Sequence, residues 1–169
     1  IRAGVAFGCY QILLVGQVKN SQRFLEKEQG LSIMNRHRNQ QEQQHEQQLQ
    51  QFAKWKDCVQ YMKEKSIYLI GVEIDETSKS LDDEYFDNPD LFVATHPPTD
   101  IGILMGNEGL GILPKFLEEC SALLRIPQYG VGTASLNVNV ATNIVLHRFS
   151  IWKRSKLRKA RNTHRDNNK

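Results

Sequence analysis

The 169-residue sequence predicts an α/β domain with a mostly parallel β-sheet covered by helices on both faces. Two observations indicate this fold class. Short apolar segments of strand length alternate with segments of helical periodicity, as they do in parallel sheets. The length suits one domain with a substantial hydrophobic core. Because ligands bind such sheets beyond the carboxyl ends of the strands, we expect the functional residues in the loops that follow the strands.

The first half of the chain predicts three helical segments and one strand. Residues Ile1–Gly8 form the end of a helix that stops at its glycine, and Tyr10–Val15 is an apolar strand. Ser21 can cap a short helix that ends near Gly30. An amphipathic helix is predicted over Gln50–Lys65, because apolar residues recur there at helical spacing. These residues are Phe52, Trp55, Val59 and Met62.

The second half of the chain predicts three strands and two helices. The strands are Ile67–Glu73, Ile101–Met105 and Ala122–Ile126. Pro114 suits the first turn of a helix that runs to Cys120. The last helix begins near Asn137 and continues beyond Trp152 with one apolar face. That face consists of Val138, Ala141, Val145 and Trp152, broadened by Ile144 and Phe149.

Two segments differ in composition from the rest of the chain. In residues 35–51, eight of 17 residues are Gln and Leu49 is the one aliphatic residue, which predicts a loose insertion. Residues 153–169 contain eight Lys or Arg and one Asp, a charge of +7. Since the whole chain carries +3, residues 1–152 carry −4. The predicted organisation is a domain of residues 1–152 followed by a basic tail, which is either a polyanion contact or a solvated terminus.

The cysteines and the apolar runs exclude several classes of protein. Cys9, Cys58 and Cys120 are widely spaced and form neither a disulfide framework nor a CxxC metal site, so we expect a reduced, intracellular protein without a metal. The longest apolar runs, such as Ile12–Val15, are too short to span a bilayer, so we expect no membrane association.

The first candidate site is the loop Gly106–Gly111, with sequence GNEGLG, which follows a predicted strand. Its three glycines allow the backbone to approach a ligand closely and to adopt positive φ angles, while Asn107 and Glu108 supply polar groups. The order G-x-x-G-x-G differs from the dinucleotide-binding G-x-G-x-x-G, and no Gly-Lys-Ser/Thr follows, so a phosphate-binding loop is not indicated. Taken alone, such a motif is more often a tight turn than a binding site.

The second candidate site joins the strand end Ile126-Pro127 to the last helix through a loop with two glycines. Ser135 or Asn137 can cap that helix. Alternatively, these side chains and the amides at the helix start face a bound polar ligand. Composition does not distinguish the two roles.

Three sets of residues occur along the chain in the order of three known motifs. Arg2 and Phe7-Gly8 match the end of motif 1, Arg-x-Ala/Cys-x-x-Phe/Val-Gly, with a one-residue difference. Leu104–Gly111 matches motif 2, Leu-x-Gly-x-Glu-Gly-x-Gly. Ile126-Pro127 and Ser135–Ala141 match motif 3, Ile-Pro followed by Ser-Leu-Asn-Val-x-x-Ala. The sequence thus resembles the TrmH/SpoU branch of the SPOUT RNA methyltransferases over most of its length outside the Gln-rich segment and the tail.

The resemblance implies an enzyme that methylates a ribose 2′-hydroxyl of tRNA or rRNA with S-adenosylmethionine. It also implies a C-terminal trefoil knot, which ordinary topology rules would not predict. A homodimer with the RNA site at the subunit interface is implied as well, and the apolar face of the last helix, including Phe149 and Trp152, is a candidate surface for it.

The resemblance further implies roles for individual residues. Arg2 is the implied principal catalytic residue, and because a guanidinium stays charged, we interpret it first as a phosphate clamp and charge stabiliser. Glu108 would orient Arg2, and Ser135 and Asn137 would shape the ribose site. The implied cofactor-binding residues are Leu104, Gly106, Asn107, Gly109, Ile126, Gln128 and Leu136.

One part of the family pattern does not occur in this sequence. Family motif 1 begins with an Asn upstream of the arginine, after the first core strand, and we expect both to precede Ile1 in the parent protein. A catalytically inactive RNA-binding protein of the same fold would explain the basic tail equally well. An acyltransferase is disfavoured, because its motif has Arg or Gln three positions before the first of its glycines, where this sequence has Gly106 ahead of Gly109.

Overall fold

A computed structural model describes residues 2–16, 48–82, 100–107, 109–130 and 135–166. The chain divides into two compact units, Ile1–Tyr61 and Met62–Lys169. In chain order, the elements are α1 (Arg2–Ala6), β1 (Gln11–Val15), β2 (Gln48–Phe52), α2 (Trp55–Glu64), β3 (Ile67–Val72), β4 (Lys79–Ser80), β5 (Asp100–Met105), α3 (Pro114–Leu117), β6 (Ala122–Arg125) and α4 (Val138–Asp166). The predicted helix capped by Ser21 and most of the predicted insertion lie outside the described residues.

Helix α1 ends at the predicted glycine. Gly8 adopts a φ of 75°, a left-handed conformation that favours glycine. The Cys9 N–H donates to the Gly4 carbonyl at 2.9 Å, which is the 6→1 hydrogen bond of a Schellman C-cap. This geometry confirms that the helix stops at Gly8 before β1 begins.

Strands β1 and β2 pair in parallel, with Gln11 opposite Gln48 and Val15 opposite Phe52. The prediction that residues 48–51 belong to a loose insertion is therefore wrong, and the following helix begins at Trp55 instead of Gln50. The physical reason is that amide hydrogen bonds order this segment with little apolar burial. The Gln11 side chain donates to Gln50 Oε1 at 3.1 Å and to the Tyr61 hydroxyl at 2.9 Å.

In the described part of the second unit, four parallel strands form a sheet in the order β4-β6-β3-β5. Ile67 lies opposite Asp100 in the β3–β5 pair, and Ile70 lies opposite Ala122 in the β3–β6 pair. These strands confirm the predicted α/β class with a parallel sheet, and the trefoil knot stays a prediction. Strand β4 was not predicted, because this two-residue Lys-Ser strand lacks any apolar pattern.

The core of the second unit consists of Ile70, Leu81, Leu124 and Val145. Phe149 and Trp152 pack against this cluster. These two partly buried aromatic residues therefore contact the core of their own chain, and their predicted part in a subunit interface stays a prediction. Among the side chains that the structure describes in α4, the exposed large apolar ones are Val140, Ile144 and Ile151, with 48%, 37% and 40% of their surface accessible.

Helix α4 continues without interruption across the predicted boundary between domain and basic tail at residue 153. Its sequence contains neither Gly nor Pro, and Lys and Arg are good helix formers, so nothing in the chain stops the helix there. The tail is therefore helical as far as Asp166. None of the described helices is long and apolar enough to cross a membrane.

Candidate functional site

The candidate site lies at the carboxyl edge of the sheet in the second unit. Strands β5, β3 and β6 are parallel neighbours, so their last residues reach the same edge. The residues that follow them are Gly106 after β5, Glu73 after β3 and Ile126 after β6. The sequence predicted functional loops after β5 and β6, and the structure places both at this edge.

The glycine-rich loop after β5 forms a closed turn. Asn107 and Gly111 exchange two backbone hydrogen bonds, of 3.0 and 2.9 Å. The Asn107 side-chain oxygen accepts a further hydrogen bond from the Gly109 N–H at 2.8 Å. Gly111 adopts a φ of 63°, which a residue with a Cβ rarely adopts. The Asn107 side chain therefore stabilises the loop itself.

Gly106 is required by close packing between the two ends of this loop. A Cβ at position 106 would lie 2.6 Å from the carbonyl carbon of Gly111 and 2.9 Å from the Ile112 nitrogen. Backbone atoms cannot move aside as a flexible side chain can, so a larger residue at this position would open the loop. At Gly109, by contrast, the nearest atom is the Asn107 side-chain oxygen at 3.5 Å, and the residue is exposed.

Glu73, for which no role is predicted from the sequence, holds the loop in place. Its Oε2 accepts a hydrogen bond from the Ile112 N–H at 2.7 Å, and its Oε1 accepts one from the Ile74 N–H at 2.9 Å. A Cβ on Gly111 would collide with Oε2. The backbone of Glu73 is fixed as well, because its N–H donates to the Leu124 carbonyl at 2.9 Å. One carboxylate thus connects the end of β3 to the loop after β5.

The loop after β6 begins in the core and ends at the surface. Ile126 packs against the core cluster, and Gln128 is half-buried. Tyr129 has 86% of its surface accessible, and its hydroxyl lies 3.0 Å from an Asp82 carboxylate oxygen, to which it donates. Residues 131–134 lie outside the described residues.

The start of α4 shows which residue caps the helix. The Asn137 side-chain oxygen accepts a hydrogen bond from the Asn139 N–H at 2.9 Å, and the Asn137 carbonyl accepts one from the Ala141 N–H at 2.9 Å. This is the geometry of an N-cap. The capping role left open by the sequence therefore belongs to Asn137, and only the amide nitrogen of its side chain is left to donate elsewhere.

The structure brings together part of the predicted residue set. Gly106, Asn107 and Gly109 share the loop after β5, which lies at the same sheet edge as the residues after β6. The predicted residues that the structure describes in the second unit are Leu104, Gly106, Asn107, Gly109, Ile126, Gln128, Ser135, Leu136 and Asn137. Arg2 begins α1 in the first unit, and Glu108 lies outside the described residues. The catalytic and binding roles of all these residues stay predictions.

Two cysteines of the chain are unsuited to nucleophilic catalysis. Burial raises the pKa of the Cys58 thiol to about 11. Burial, with a smaller effect from the Glu119 charge, raises the pKa of Cys120 to about 11. Because the thiolate is the reactive form, both residues are protonated and inert at neutral pH. A mechanism with a covalent intermediate on either sulfur is therefore disfavoured.

Comparison with known proteins identifies the family. The model of the SpoU rRNA methylase family matches residues 1–147. Comparison with curated proteins gave no significant match. Among solved structures, the SpoU methyltransferase AviRb from Streptomyces viridochromogenes, in complex with AdoMet, has a TM-score of 0.63 at 17% identity, with 91% of this chain and 51% of that chain covered.

Two further structures have the same fold. The AdoMet-bound rRNA methyltransferase from Sinorhizobium meliloti has a TM-score of 0.59 at 22% identity, with 87% of this chain and 48% of that chain covered. The TrmH/SpoU tRNA modifying enzyme from A. aeolicus has a TM-score of 0.53 at 16% identity, with 92% of this chain and 86% of that chain covered. This chain thus spans about half the length of the first two relatives. With the family model matched over most of its residues, the chain belongs to the SpoU rRNA methylase family.

Proposed function

We propose that the protein is an S-adenosylmethionine-dependent RNA methyltransferase that methylates a ribose 2′-hydroxyl of tRNA or rRNA. The observation that carries this proposal is the closed loop Gly106–Ile112 at the carboxyl edge of a parallel sheet. The strand before this loop, β5, is separated by β3 from β6, which is followed by Ile126-Pro127. Membership of the SpoU family supports it. Two solved structures of this fold, which are described as SpoU or rRNA methyltransferases, contain AdoMet.

The residues proposed for binding have the chemistry that a nucleoside cofactor requires. Leu104, Ile126 and Leu136 are half-buried apolar side chains that can contact an adenine ring. Gly109 is exposed and leaves the loop backbone accessible to polar groups of a ligand. When bound, S-adenosylmethionine supplies a methyl group activated by the positive sulfonium. We assign the binding of this cofactor to these residues together with Gly106, Asn107 and Gln128.

The residues proposed for catalysis act on the ribose and its phosphate. A ribose hydroxyl is a poor nucleophile at neutral pH and requires a proton acceptor or stabilisation of its developing charge. Arg2 supplies a permanent positive charge, which would hold the RNA phosphate and stabilise that developing charge. Glu108 would orient Arg2. Ser135 and the amide nitrogen of Asn137 would position the ribose, since the Asn137 oxygen is committed to the helix cap.

We further propose that the protein acts as a homodimer with RNA bound near the subunit interface. The exposed apolar residues Val140, Ile144 and Ile151 support this contact, and the partly buried Phe149 and Trp152 contact the core of their own chain. The full-length protein is expected to have the mass of a dimer by light scattering. Ile144→Glu should shift it toward the monomer, whereas the exposed polar change Asn143→Asp should not.

The decisive experiment separates cofactor binding from methyl transfer in the full-length protein. Arg2→Ala should abolish transfer to RNA while the Kd for S-adenosylmethionine by calorimetry stays unchanged, and Arg2→Lys should retain partial transfer because it keeps the charge. The modified nucleotide should resist alkaline cleavage, since that cleavage needs a free 2′-hydroxyl. If the unaltered protein binds RNA but gives no heat with the cofactor, the chain is an inactive RNA-binding member of the family.

A further inference from the structure

Four arginines share one side of helix α4. Arg154, Arg158, Arg161 and Arg165 recur at intervals of four, three and four residues, and the helix continues through Asp166. At 3.6 residues per turn, their positions fall within about 60° of the helix circumference and extend along about 16 Å of its axis. We call these four positions the arginine face.

The arginine face lies opposite the side of α4 that packs against the sheet. Val145, Phe149 and Trp152 belong to or contact the core cluster. By the same rotation per residue, the arginine positions are about 180° from this core-facing side. In the preceding turns, Asn143 and His147 occupy the arginine side and both are exposed. By position, the arginine face therefore lies on the same side of the helix as these two exposed residues.

The lysines of the same segment lie elsewhere on the helix. Lys153, Lys156 and Lys159 occupy positions that continue the core-facing side. Lys and Arg have similar helix propensities and contribute equally to net charge, so neither helix formation nor solubility requires this separation. The two residues differ in phosphate recognition, because the planar guanidinium can donate two parallel hydrogen bonds and the ammonium acts as a point charge.

We propose that the arginine face binds the sugar–phosphate backbone of the substrate RNA, away from the reacting ribose. This inference rests on the proposed function. Charge complementarity identifies the partner: residues 1–152 carry −4 and would repel a polyanion, whereas residues 153–169 carry +7. Contacts to phosphates fix the orientation of an RNA without reading its bases. The arginine face would thus hold the RNA body while the loops at the sheet edge select the nucleotide.

A matched pair of variants in the full-length protein tests this proposal. Each variant removes three positive charges from the same helix, either R154Q/R158Q/R161Q or K153Q/K156Q/K159Q. The probes are an unmodified transfer RNA transcript and an unmodified ribosomal RNA fragment. Their Kd is measured between about 50 and 200 mM salt, where counterion release dominates binding. Helicity is checked by circular dichroism, and Gln is a good helix former, so both variants should remain helical.

The arginine variant should weaken RNA binding at least about tenfold and lower the salt slope by about 0.7–0.9 for each phosphate that the helix no longer neutralises. The lysine variant should change the slope by less than half as much. A third variant, R154K/R158K/R161K, keeps the charge and should retain most of the slope while binding RNA more weakly. Equal effects of the arginine and lysine variants would overturn the proposal, because the helix would then attract RNA through its total positive charge and not through one face.

The same experiments distinguish failure of this proposal from failure of the proposed function. If the unaltered protein binds S-adenosylmethionine but the arginine variant binds both RNAs normally, the RNA-binding role of the arginine face is contradicted and the cofactor assignment is unaffected. If the arginine variant no longer binds RNA but the unaltered protein binds no cofactor, the RNA-binding role of the arginine face is supported and the proposed methyltransferase function is contradicted. Arginine-dependent binding to phosphatidylserine vesicles, with unchanged RNA binding, would assign the face to a membrane surface and overturn the proposal.

Discussion

Replacement of Glu73 by Ala is predicted to weaken cofactor binding, although the cofactor is not assigned to Glu73. The change removes the carboxylate that accepts the Ile112 N–H at 2.7 Å and the Ile74 N–H at 2.9 Å. Ile112 is only 6% exposed, so water cannot readily replace the missing acceptor. The loop that contains Gly106 and Gly111 would then be detached from β3.

The magnitude follows from the hydrogen bond to Ile112. A hydrogen bond to a charged group contributes about 1.5–3 kcal/mol, and a buried donor left without an acceptor costs about 1–3 kcal/mol. A loss of about 2 kcal/mol changes the ratio of closed to open loop by about 30-fold, since about 1.4 kcal/mol corresponds to a factor of ten. Because the apparent Kd varies inversely with the fraction of competent protein, Glu73→Ala should raise the Kd for S-adenosylmethionine by about tenfold and at most about 30-fold.

Calorimetric titration of the full-length protein with S-adenosylmethionine measures this effect. Glu73→Gln keeps one acceptor oxygen for Ile112 but loses the second, so its Kd should fall between those of the unaltered protein and Glu73→Ala. Glu76→Ala is the control, because it removes a carboxylate from an exposed position three residues further along the chain. If Glu73→Ala lowers the melting temperature but leaves the Kd within about twofold, Glu73 serves the fold alone and the reasoning is refuted.

Three further predictions concern the loop, the tail and the half-buried thiol of Cys120. Gly106→Val should abolish binding of S-adenosylmethionine in calorimetry, because the valine side chain would collide with the backbone of Gly111. Gly109→Ala should leave the affinity nearly unchanged, and equal losses of affinity in the two variants would contradict this account. Deletion from Lys153 onward should weaken RNA binding and flatten its salt dependence, and an unchanged slope would show that the tail does not contact RNA. Cys120 should react slowly with iodoacetamide at pH 8 and faster between pH 9 and 11, as measured by mass spectrometry, because burial raises its pKa from 9.0 to about 11. Rapid alkylation at pH 8 would contradict this prediction and indicate that the thiol is accessible. Because the pKa of Cys120 is raised in the folded state, its contribution to the free energy of unfolding is complete below pH 9 and is lost toward pH 11.

The strands of the main sheet could be predicted because apolar residues form them. β3, β5 and β6 are short apolar runs, and each predicted bound agrees with the structure to within one residue. β2 could not be predicted in this way, because its pairing depends on amide hydrogen bonds that leave no hydrophobic pattern. The prediction that α4 continues beyond Trp152 is confirmed, but its end at Asp166 could not be predicted, because the basic segment has good helix formers and no apolar pattern to mark a limit.

The candidate site could be located from motifs, but the structural roles of its residues could not. The order of glycines identified the loop after β5, yet its sequence did not reveal that Gly106 packs against the loop itself or that Asn107 stabilises the turn. Glu73 carried no signal, because a single acid at a strand end is common and its partner, Ile112, is 39 residues away. Long-range contacts of this kind depend on sheet order, which sequence periodicity does not specify.

The glutamine pairing in the first unit has a practical consequence for handling the protein. Amide side chains do not ionise, so the contacts of Gln11 with Gln50 and Tyr61, and of Gln51 with the Gly16 carbonyl, keep the same donors and acceptors when the solution is acidified. Concentrated salt screens ion pairs but has little effect on such neutral contacts. A high-salt wash should therefore strip copurifying nucleic acid from the protein and leave the β1–β2 register intact.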